Sequence, residues 1–476
     1  MPSSAGAAGS RHPNILFFFT DDQRFDTIHA LGNDRISTPT MDSLVRSGTA
    51  FTNAYIMGGS CDAVCMPSRA MLMTGRTLFH LEEQGQAIPQ EHVLLGEHLR
   101  RAGYETFGTG KWHNGSRAYA RSFTAGAEIF YGGMEDHWNV PAYDFDPTGA
   151  YDSFQPATTN PRYSNATVLR QCNHVTPGKH SSELFSDAAI EYLEGYESDA
   201  PFFMYISFMA PHDPRTMPRE YLEMYDPADI ELPPNFMAEH PFDNGEMVVR
   251  DELLAEFPRQ KDEIRRHIAE YYAMISHLDA QIGRVMDALK RMGHADDTII
   301  VFAGDNGLAL GQHGLMGKQN QYEHSLHVPL VFSGPGIPQG EQREAFCYLL
   351  DIYPTLCDLT GLPVPETVEG RSLVPAMGDS GVRSRETLLY AYKGVQRCAR
   401  DERYKLIEYV VQGVRTTQLF DIEGDPWEMH NLAADPLYAE QVAHLRQELV
   451  RWRDELGDTQ KGLGESFWRG YDEKRV

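Results

Sequence analysis

Four apolar runs along the chain end abruptly in polar residues. Asn14-Ile15-Leu16-Phe17-Phe18-Phe19 runs into Thr20-Asp21-Asp22, and Phe202 to Met209 runs into Ala210-Pro211-His212. Thr298-Ile299-Ile300-Val301-Phe302-Ala303 runs into Gly304-Asp305-Asn306, and Tyr104-Glu105-Thr106-Phe107 precedes Gly108-Thr109-Gly110-Lys111-Trp112-His113. Near-continuous apolar strands are what a sheet covered on both faces requires. Helical spacing separates them. From about Glu263 to Met292, apolar residues recur at alternating steps of four and three, and Gly293 stands where a helix stop is expected. Ser181 or Ser182 can cap a second helix carrying Leu184, Phe185, Ala188, Ala189, Tyr192 and Leu193. Strands alternating with helices predict an α/β fold with a large, mostly parallel sheet sandwiched by helices. In such sheets ligands gather beyond the carboxyl ends of the strands. The four polar clusters are therefore expected at one edge.

Two stretches break the pattern. Residues 114–180 are rich in Gly, Pro, Tyr, Asp and Asn with little periodicity, and so long an irregular insertion is usually functional or disordered. After Arg371-Ser372-Leu373, three short strands (388–391, 404–411, 417–420) and an amphipathic helix from about Tyr438 to Leu456 suggest a smaller α+β domain with an antiparallel sheet. The expected division is 12–375 for the main domain and 376–476 for the smaller one.

Composition is globular, 41% hydrophobic and 23% charged, and no stretch approaches the ~18 uninterrupted apolar residues of a membrane span. A formal net charge of −26 argues against nucleic acid or an anionic membrane as partner, because both need a basic face. An anionic substrate would have to be drawn in by local cations. The start, MPSSAGAAGSRHPN, lacks the apolar core of a secretory signal, so as it stands the chain reads as cytoplasmic; a signal removed upstream would instead mean a periplasmic or secreted protein. Six scattered cysteines are not a disulfide scaffold.

Asp21-Asp22 and Asp305-Asn306 would bring three carboxylates and an amide oxygen together at neighbouring strand ends. Like charges strain such a cluster unless a cation sits in it. All-oxygen ligation selects a hard cation, calcium or magnesium. Either pair alone reads as a helix cap or a turn; the matching strand-end contexts favour the cation. Arg69, Lys111 and Lys318 lie in glycine-containing or turn-like sequence, and His113 and His212 are the histidines tied to strand ends. A hard cation, three fixed positive side chains and two histidines suit a tetrahedral oxyanion ester. Cys65 heads the run Cys65-Met66-Pro67-Ser68-Arg69, with Cys61 four residues before it. A disulfide to Cys61 would close a tight loop in a chain with no need of staples and a zinc site lacks its further ligands, so a plain buried thiol and a nucleophilic thiolate beside Arg69 are the readings that spacing leaves.

These residues resemble the type I sulfatases of the alkaline-phosphatase-like superfamily. Cys65-Met66-Pro67-Ser68-Arg69 followed by Leu72-Met73-Thr74-Gly75-Arg76 is similar to that family's C-x-P-S-R motif, whose cysteine is oxidised after translation to formylglycine. Asn14–Asp22, Gly110-Lys111-Trp112-His113, Pro211-His212, Gly304-Asp305-Asn306-Gly307, His313–Lys318 and the block from Leu419 to Leu432 also match, in the family's order. The resemblance implies a sulfuric ester hydrolase acting through formylglycine at Cys65, with a formylglycine-generating enzyme as maturation partner. Asp21, Asp22, Asp305 and Asn306, with the modified Cys65, would hold the metal, calcium in most relatives. Arg69 and Lys111 would orient the formylglycine hydrate and bind sulfate oxygens, His212 or Lys318 would protonate the leaving alcohol, and His113 would help expel sulfate. The family's additional serine or threonine after the lysine–histidine element has no motif match in 114–180.

The expected substrate is a small-molecule or oligosaccharide sulfate ester, most simply a sulfated carbohydrate attacked from its end. Trp138, Tyr143 and Tyr151 could stack on sugar faces, and Gln396, Arg397 and Arg400 could reach over the site. Alternatives are an aryl or alkyl sulfatase, a phosphonate or phosphate monoester hydrolase of the same superfamily, and a non-catalytic, calcium-stabilised glycan-binding protein. Asn306, where phosphoryl-acting relatives often carry histidine, favours the sulfatase. The sequence leaves the oligomeric state open.

Overall fold

A computed structural model describes residues 12–158, 162–459 and 462–472. The stretch 1–11, on which the reading of the N-terminus rests, lies outside them. Eight strands form the main sheet: β1 (Asn14–Thr20), β2 (Gly48–Phe51), β3 (Glu105–Lys111), β4 (Ala125–Phe130), β5 (Phe202–Ser207), β6 (Thr298–Gly304), β7 (Leu330–Ser333) and β8 (Glu341–Arg343), in the order β8-β2-β7-β6-β1-β5-β3-β4. Only β7 runs antiparallel to its neighbours. The apolar run of β1 explains its central place. Ile15, Phe17 and Phe19 enter one core and Leu16 and Phe18 the other, so the sheet is covered on both faces.

On one face lie α2 (Ser181–Glu194) and the 31-residue α3 (Lys261–Arg291), whose stripe Ile264, Ile268, Tyr271, Ile275, Leu278, Ile282 and Val285 is buried. The expected serine cap of α2 is replaced by His180, whose ring accepts from the Ser182 N–H at 3.2 Å. The opposite face is covered in part by α1 (Cys65–Thr74).

The irregular segment 114–180 contains more structure than its composition suggests. It supplies a helix at Ser116–Ser122, the edge strand β4, and an isolated hairpin of Phe154–Thr158 with Thr167–Gln171. β3 likewise runs on through its glycines to Lys111. At Gly110 (φ 84°) a Cβ would lie 1.9 Å from the Ser207 carbonyl, so only glycine allows the neighbouring strands to approach. The register shifts between Thr109 and Gly110, and this bulge sets where Lys111 leaves the sheet.

A second sheet is antiparallel: β9 (Leu388–Tyr392), β10 (Gln396–Arg400), β11 (Tyr404–Val411) and β12 (Val414–Asp421), covered by α4 (Ala439–Leu456). It is not built from residues after 376 alone, because Gly58–Gly59 pairs in parallel with β9. Glu323, on a short helix at Glu323–Leu326, binds Arg400 and Lys405 of this sheet and Tyr55 from the main core, a buried ionic joint between the two sheets.

Candidate active site

Parallel register brings the strand ends into line. Phe19 of β1 faces Ser207 of β5, Thr20 faces Gly304 of β6, and Ser207 faces Gly110 of β3. Asp21-Asp22, Asp305-Asn306 and Lys111 follow directly, so five residues far apart in sequence meet at one edge. The first turn of α1 docks on them: Ser68 Oγ donates to the Asp305 carbonyl at 2.6 Å.

Arg69 organises the carboxylates. Its Nε donates to Asp305 at 3.0 Å, Nη2 reaches Asp21 at 3.1 Å and Asp305 at 2.9 Å, and Nη1 donates to the Lys111 carbonyl at 3.0 Å and Ser207 Oγ at 2.5 Å. The guanidinium lies over the Phe19 ring and is fully buried. Its fork is therefore turned to the protein, behind the carboxylates, where it holds them together. Ser207 carried no sequence signal, since a lone serine marks nothing until the register is known, whereas Ser68 stands inside the C-x-P-S-R run.

Cys65 Sγ lies 3.5 Å from Lys111 Nζ and 3.5 Å from His113 Nδ1. Lys111 also pairs with Asp21. Lys318 Nζ and Asn306 Nδ2 both meet Asp22 Oδ1 at 2.6 Å, and His212 Nε2 stands 3.6 Å from Asp22 Oδ2. The loop bearing Lys318 is fixed by Glu252, which accepts from the Met316 and Gly317 N–H groups at 2.9 Å each. His137, a residue that sequence alone did not single out, meets the His212 carbonyl with Nε2 at 3.0 Å and Ser181 Oγ with Nδ1 at 2.6 Å.

Two site residues are backbone-strained. Asp22 (φ 64°) and His113 (φ 71°) occupy the left-handed region, at a cost of about 1–3 kcal/mol each. Asp22 is pinned by its N–H to Asp305 Oδ1 at 3.0 Å and by the Tyr271 hydroxyl, which donates to its carbonyl at 2.6 Å.

The electrostatics are frustrated. Burial works against the Asp21 carboxylate, but Lys111 and Arg69 outweigh it and hold it far below its usual range. Burial and the Asp21 charge push Asp305 up to about 6. Burial raises the Cys65 thiol even with Lys111 and Lys318 nearby, which disfavours a resting thiolate. Burial, Lys111 and Arg69 depress His113 to about 2, so its ring is neutral. For Lys318 burial is outweighed by Asp22 and Cys65, and the ammonium is held well above its ordinary value. Asp21 Oδ1 and Asn306 Oδ1 are buried with no hydrogen-bond partner among the described residues. Ligand atoms of Asp21, Asp22 and His212, and of Asp21, Cys65 and Asp305, form groups within 4.8 Å. Two orphaned oxygens among crowded carboxylates are what a hard cation would satisfy.

A pocket of about 220 Å³ opens onto this floor, lined by Cys65, His113, His212 and Lys318 below and by Asp62, Gly133, Met134, Val249, Arg250, Asp251 and Gln319 above. Two expected substrate contacts are elsewhere. Trp138 packs edge-on against His180, behind the His212 loop. Arg397 is buried and tied to Asp458 at 2.6 and 2.9 Å, because side chains alternate along β10 and turn it to the opposite face of the sheet from Gln396. Tyr143 and Tyr151 form an aromatic cluster with Tyr131, Gln396 donates to the Asn244 carbonyl at 2.9 Å, and Arg400 serves the Glu323 joint. The segment 114–180 instead gives Gly133 and Met134 to the pocket wall.

Residues 13–362 match the Sulfatase family model, and residues 311–455 match the C-terminal model of N-sulphoglucosamine sulphohydrolase. The N-acetylglucosamine-6-O-sulfatase of Bacteroides thetaiotaomicron is 24% identical, over 94% of this chain and 88% of its own. The arylsulfatase of Clostridium perfringens is 28% identical, over 96% and 98%. A solved structure described as a complex with its substrate D-glucosamine-2-N,6-O-disulfate aligns at a TM-score of 0.76 and 23% identity, covering 96% of this chain and 100% of that one, a likeness of fold.

Proposed function

This chain belongs to the sulfatase family, whose members hydrolyse sulfate esters, and on that premise we propose that its substrate is a sulfated carbohydrate, released as the free alcohol and inorganic sulfate. The observation that carries the reading is Cys65 Sγ, 3.5 Å from both Lys111 Nζ and His113 Nδ1 at the floor of a pocket walled by His212 and Lys318. The sugar preference is supported by the relative whose name specifies N-acetylglucosamine 6-sulfate chemistry.

Asp21, Asp22, Asp305 and Asn306 would hold calcium or magnesium, and the two unpartnered oxygens with the all-oxygen donor set fit that role. Such a cation supplies positive charge where sulfate oxygens gather and acidifies an oxygen ligand. Cys65, matured to formylglycine, supplies an aldehyde hydrate in place of a thiol. The chain's own groups do the rest. Lys111 fixes positive charge beside the reacting position, and Arg69 holds Asp21 and Asp305 in register. Lys318, kept protonated by Asp22, is placed to give a proton to the leaving oxygen, with His212 on the same wall. His113 is neutral and keeps a nitrogen facing residue 65. Met134 and Val249 form the apolar part of the rim.

The test is sulfate release, followed by ion chromatography, from protein made beside a formylglycine-generating enzyme, with Cys65→Ala as the blank. N-acetylglucosamine 6-sulfate, p-nitrophenyl sulfate and p-nitrophenyl phosphate are compared. Turnover of the sugar sulfate supports the proposal. Brisk aryl sulfate turnover with every sugar sulfate refused favours an aryl or alkyl sulfatase, and a preference for the phosphate ester favours the phosphoryl-transfer reading.

A further inference from the structure

The pocket is electrically two-layered. Its floor carries Lys318, and beneath it lie the fully buried Lys111, 3.5 Å from Cys65 Sγ, and Arg69. Its collar is acidic: the wall holds Asp62 and Asp251 against Arg250 alone. Arg250 is already engaged, with Asp213 Oδ1 at 2.7 Å from Nη1, Asp213 Oδ2 on Nη2, and Asp251 Oδ1 at 3.3 Å. Just outside, Lys393 is shared between Asp62 and Glu246. Asp62, Asp251, Asp213 and Glu246 thus share Arg250 and Lys393, four carboxylates to two cations at the collar, with Lys318 acting on Asp251 from the floor. Asp251 is held rigidly. Gln319 Nε2 donates to its Oδ2 at 2.7 Å and also to the Asp62 carbonyl at 2.9 Å, and only 15% of the Asp251 side chain is exposed. Its charge also acts on Lys318 at the floor.

With the sulfate on the cationic floor, the alcohol portion of the substrate lies in the collar. A fixed carboxylate accepts hydrogen bonds from hydroxyl or ammonium groups and repels a second anion. At about 220 Å³ the cavity is smaller than the ~300–1,000 Å³ usual for ligand pockets, so it holds a single small unit. We propose that the collar selects a monosulfated sugar unit bearing free hydroxyl or ammonium groups and rejects polysulfated or uronate-bearing ones, with Asp251 as the specificity-determining residue. The inference rests on the sulfatase reading above.

The experiment compares kcat/KM for glucosamine 6-sulfate, N-acetylglucosamine 6-sulfate and glucosamine 2-N,6-O-disulfate, with p-nitrophenyl sulfate as a reference lacking sugar groups. The wild type is expected to favour the monosulfates over the disulfate by about tenfold or more, and the ratio should shrink as salt is raised. Asp251→Asn should remove most of that ratio through KM more than kcat. Asp62→Asn, at a side chain 70% exposed and so safe for folding, should move it in the same direction. A disulfate turned over as well as the monosulfates, or a ratio unchanged in both variants, overturns the collar while leaving the sulfatase reading intact if p-nitrophenyl sulfate is hydrolysed. No turnover of any sulfate ester by protein whose Cys65 is shown to be converted overturns both.

Discussion

Tyr271→Phe tests how the fold holds the strained end of β1. The Tyr271 hydroxyl, projecting from α3, donates to the Asp22 carbonyl at 2.6 Å and accepts from the Arg24 N–H at 2.9 Å, and burial keeps it protonated. Removing one oxygen leaves a buried C=O and a buried N–H unpaired. Each such group costs about 1–3 kcal/mol, which gives a loss of about 2–6 kcal/mol, a large part of the 5–15 kcal/mol typical of a folded domain. The same change frees Asp22 to leave its left-handed conformation, so the carboxylate that faces Asn306 and Lys318 loses its fixed position. A tenfold weaker affinity for calcium would then shrink the stabilisation conferred by saturating calcium by about 1.4 kcal/mol. Urea unfolding of wild type and variant, each in excess calcium and in chelator, reads both effects. Stability within about 0.5 kcal/mol of wild type, with the whole calcium increment retained, would refute the argument that this hydroxyl pins the site.

Lys318→Ala should lower kcat by about 10²–10⁴ on a sugar sulfate, whose leaving oxygen needs a proton, and far less on p-nitrophenyl sulfate; equal losses would remove Lys318 from the proton-donor role. Arg69→Met should cost about 3–5 kcal/mol in chelator, because it leaves the buried Asp305 without its ion pair and Asp21 with Lys111 in place of two cations. Calcium should restore part of that loss in a thermal melt. Burial lowers His137 to about 4 and His180 and His277 to about 3. Groups depressed in the folded state contribute full stability above their unfolded value of about 6.5 and lose it as pH falls toward 3–4. The unfolding free energy from denaturant titrations should therefore drop between pH 6 and pH 4, by about 1.4 kcal/mol per pH unit for each of these histidines, and His137→Gln should shallow the slope.

The sequence made the strand ends legible because their chemistry is local: an apolar run stopping at Asp21-Asp22 or Asp305-Asn306 shows both the strand and its edge. The long helix was equally plain, since a stripe sustained to Met292 has a single period, and the structure ends it at Arg291. What stayed hidden depends on pairing. β10 was missed because Gln396–Arg400 mixes long polar side chains with no alternation; its residues are buried by ion pairs such as Arg397–Asp458, which only the fold brings together. That burial also removes Arg397 from the pocket. Asp251, Gln319 and Arg250 sit in loops without periodicity, and their common orientation toward Cys65 follows from the loops of Glu252 and Lys318 meeting. The strain at Asp22 and His113 has no composition signature, because neither is the glycine that such a φ usually selects.

The central claim, that residue 65 reacts as a matured aldehyde at the cationic floor, is tested most directly by the intact mass of the peptide containing Cys65. The protein is made beside a formylglycine-generating enzyme and assayed for sulfate release in the same preparation. The account predicts a peptide in which sulfur and two hydrogens are replaced by oxygen, in a fraction that tracks the specific activity. Full sulfate release from protein whose Cys65 is an unmodified thiol would contradict it.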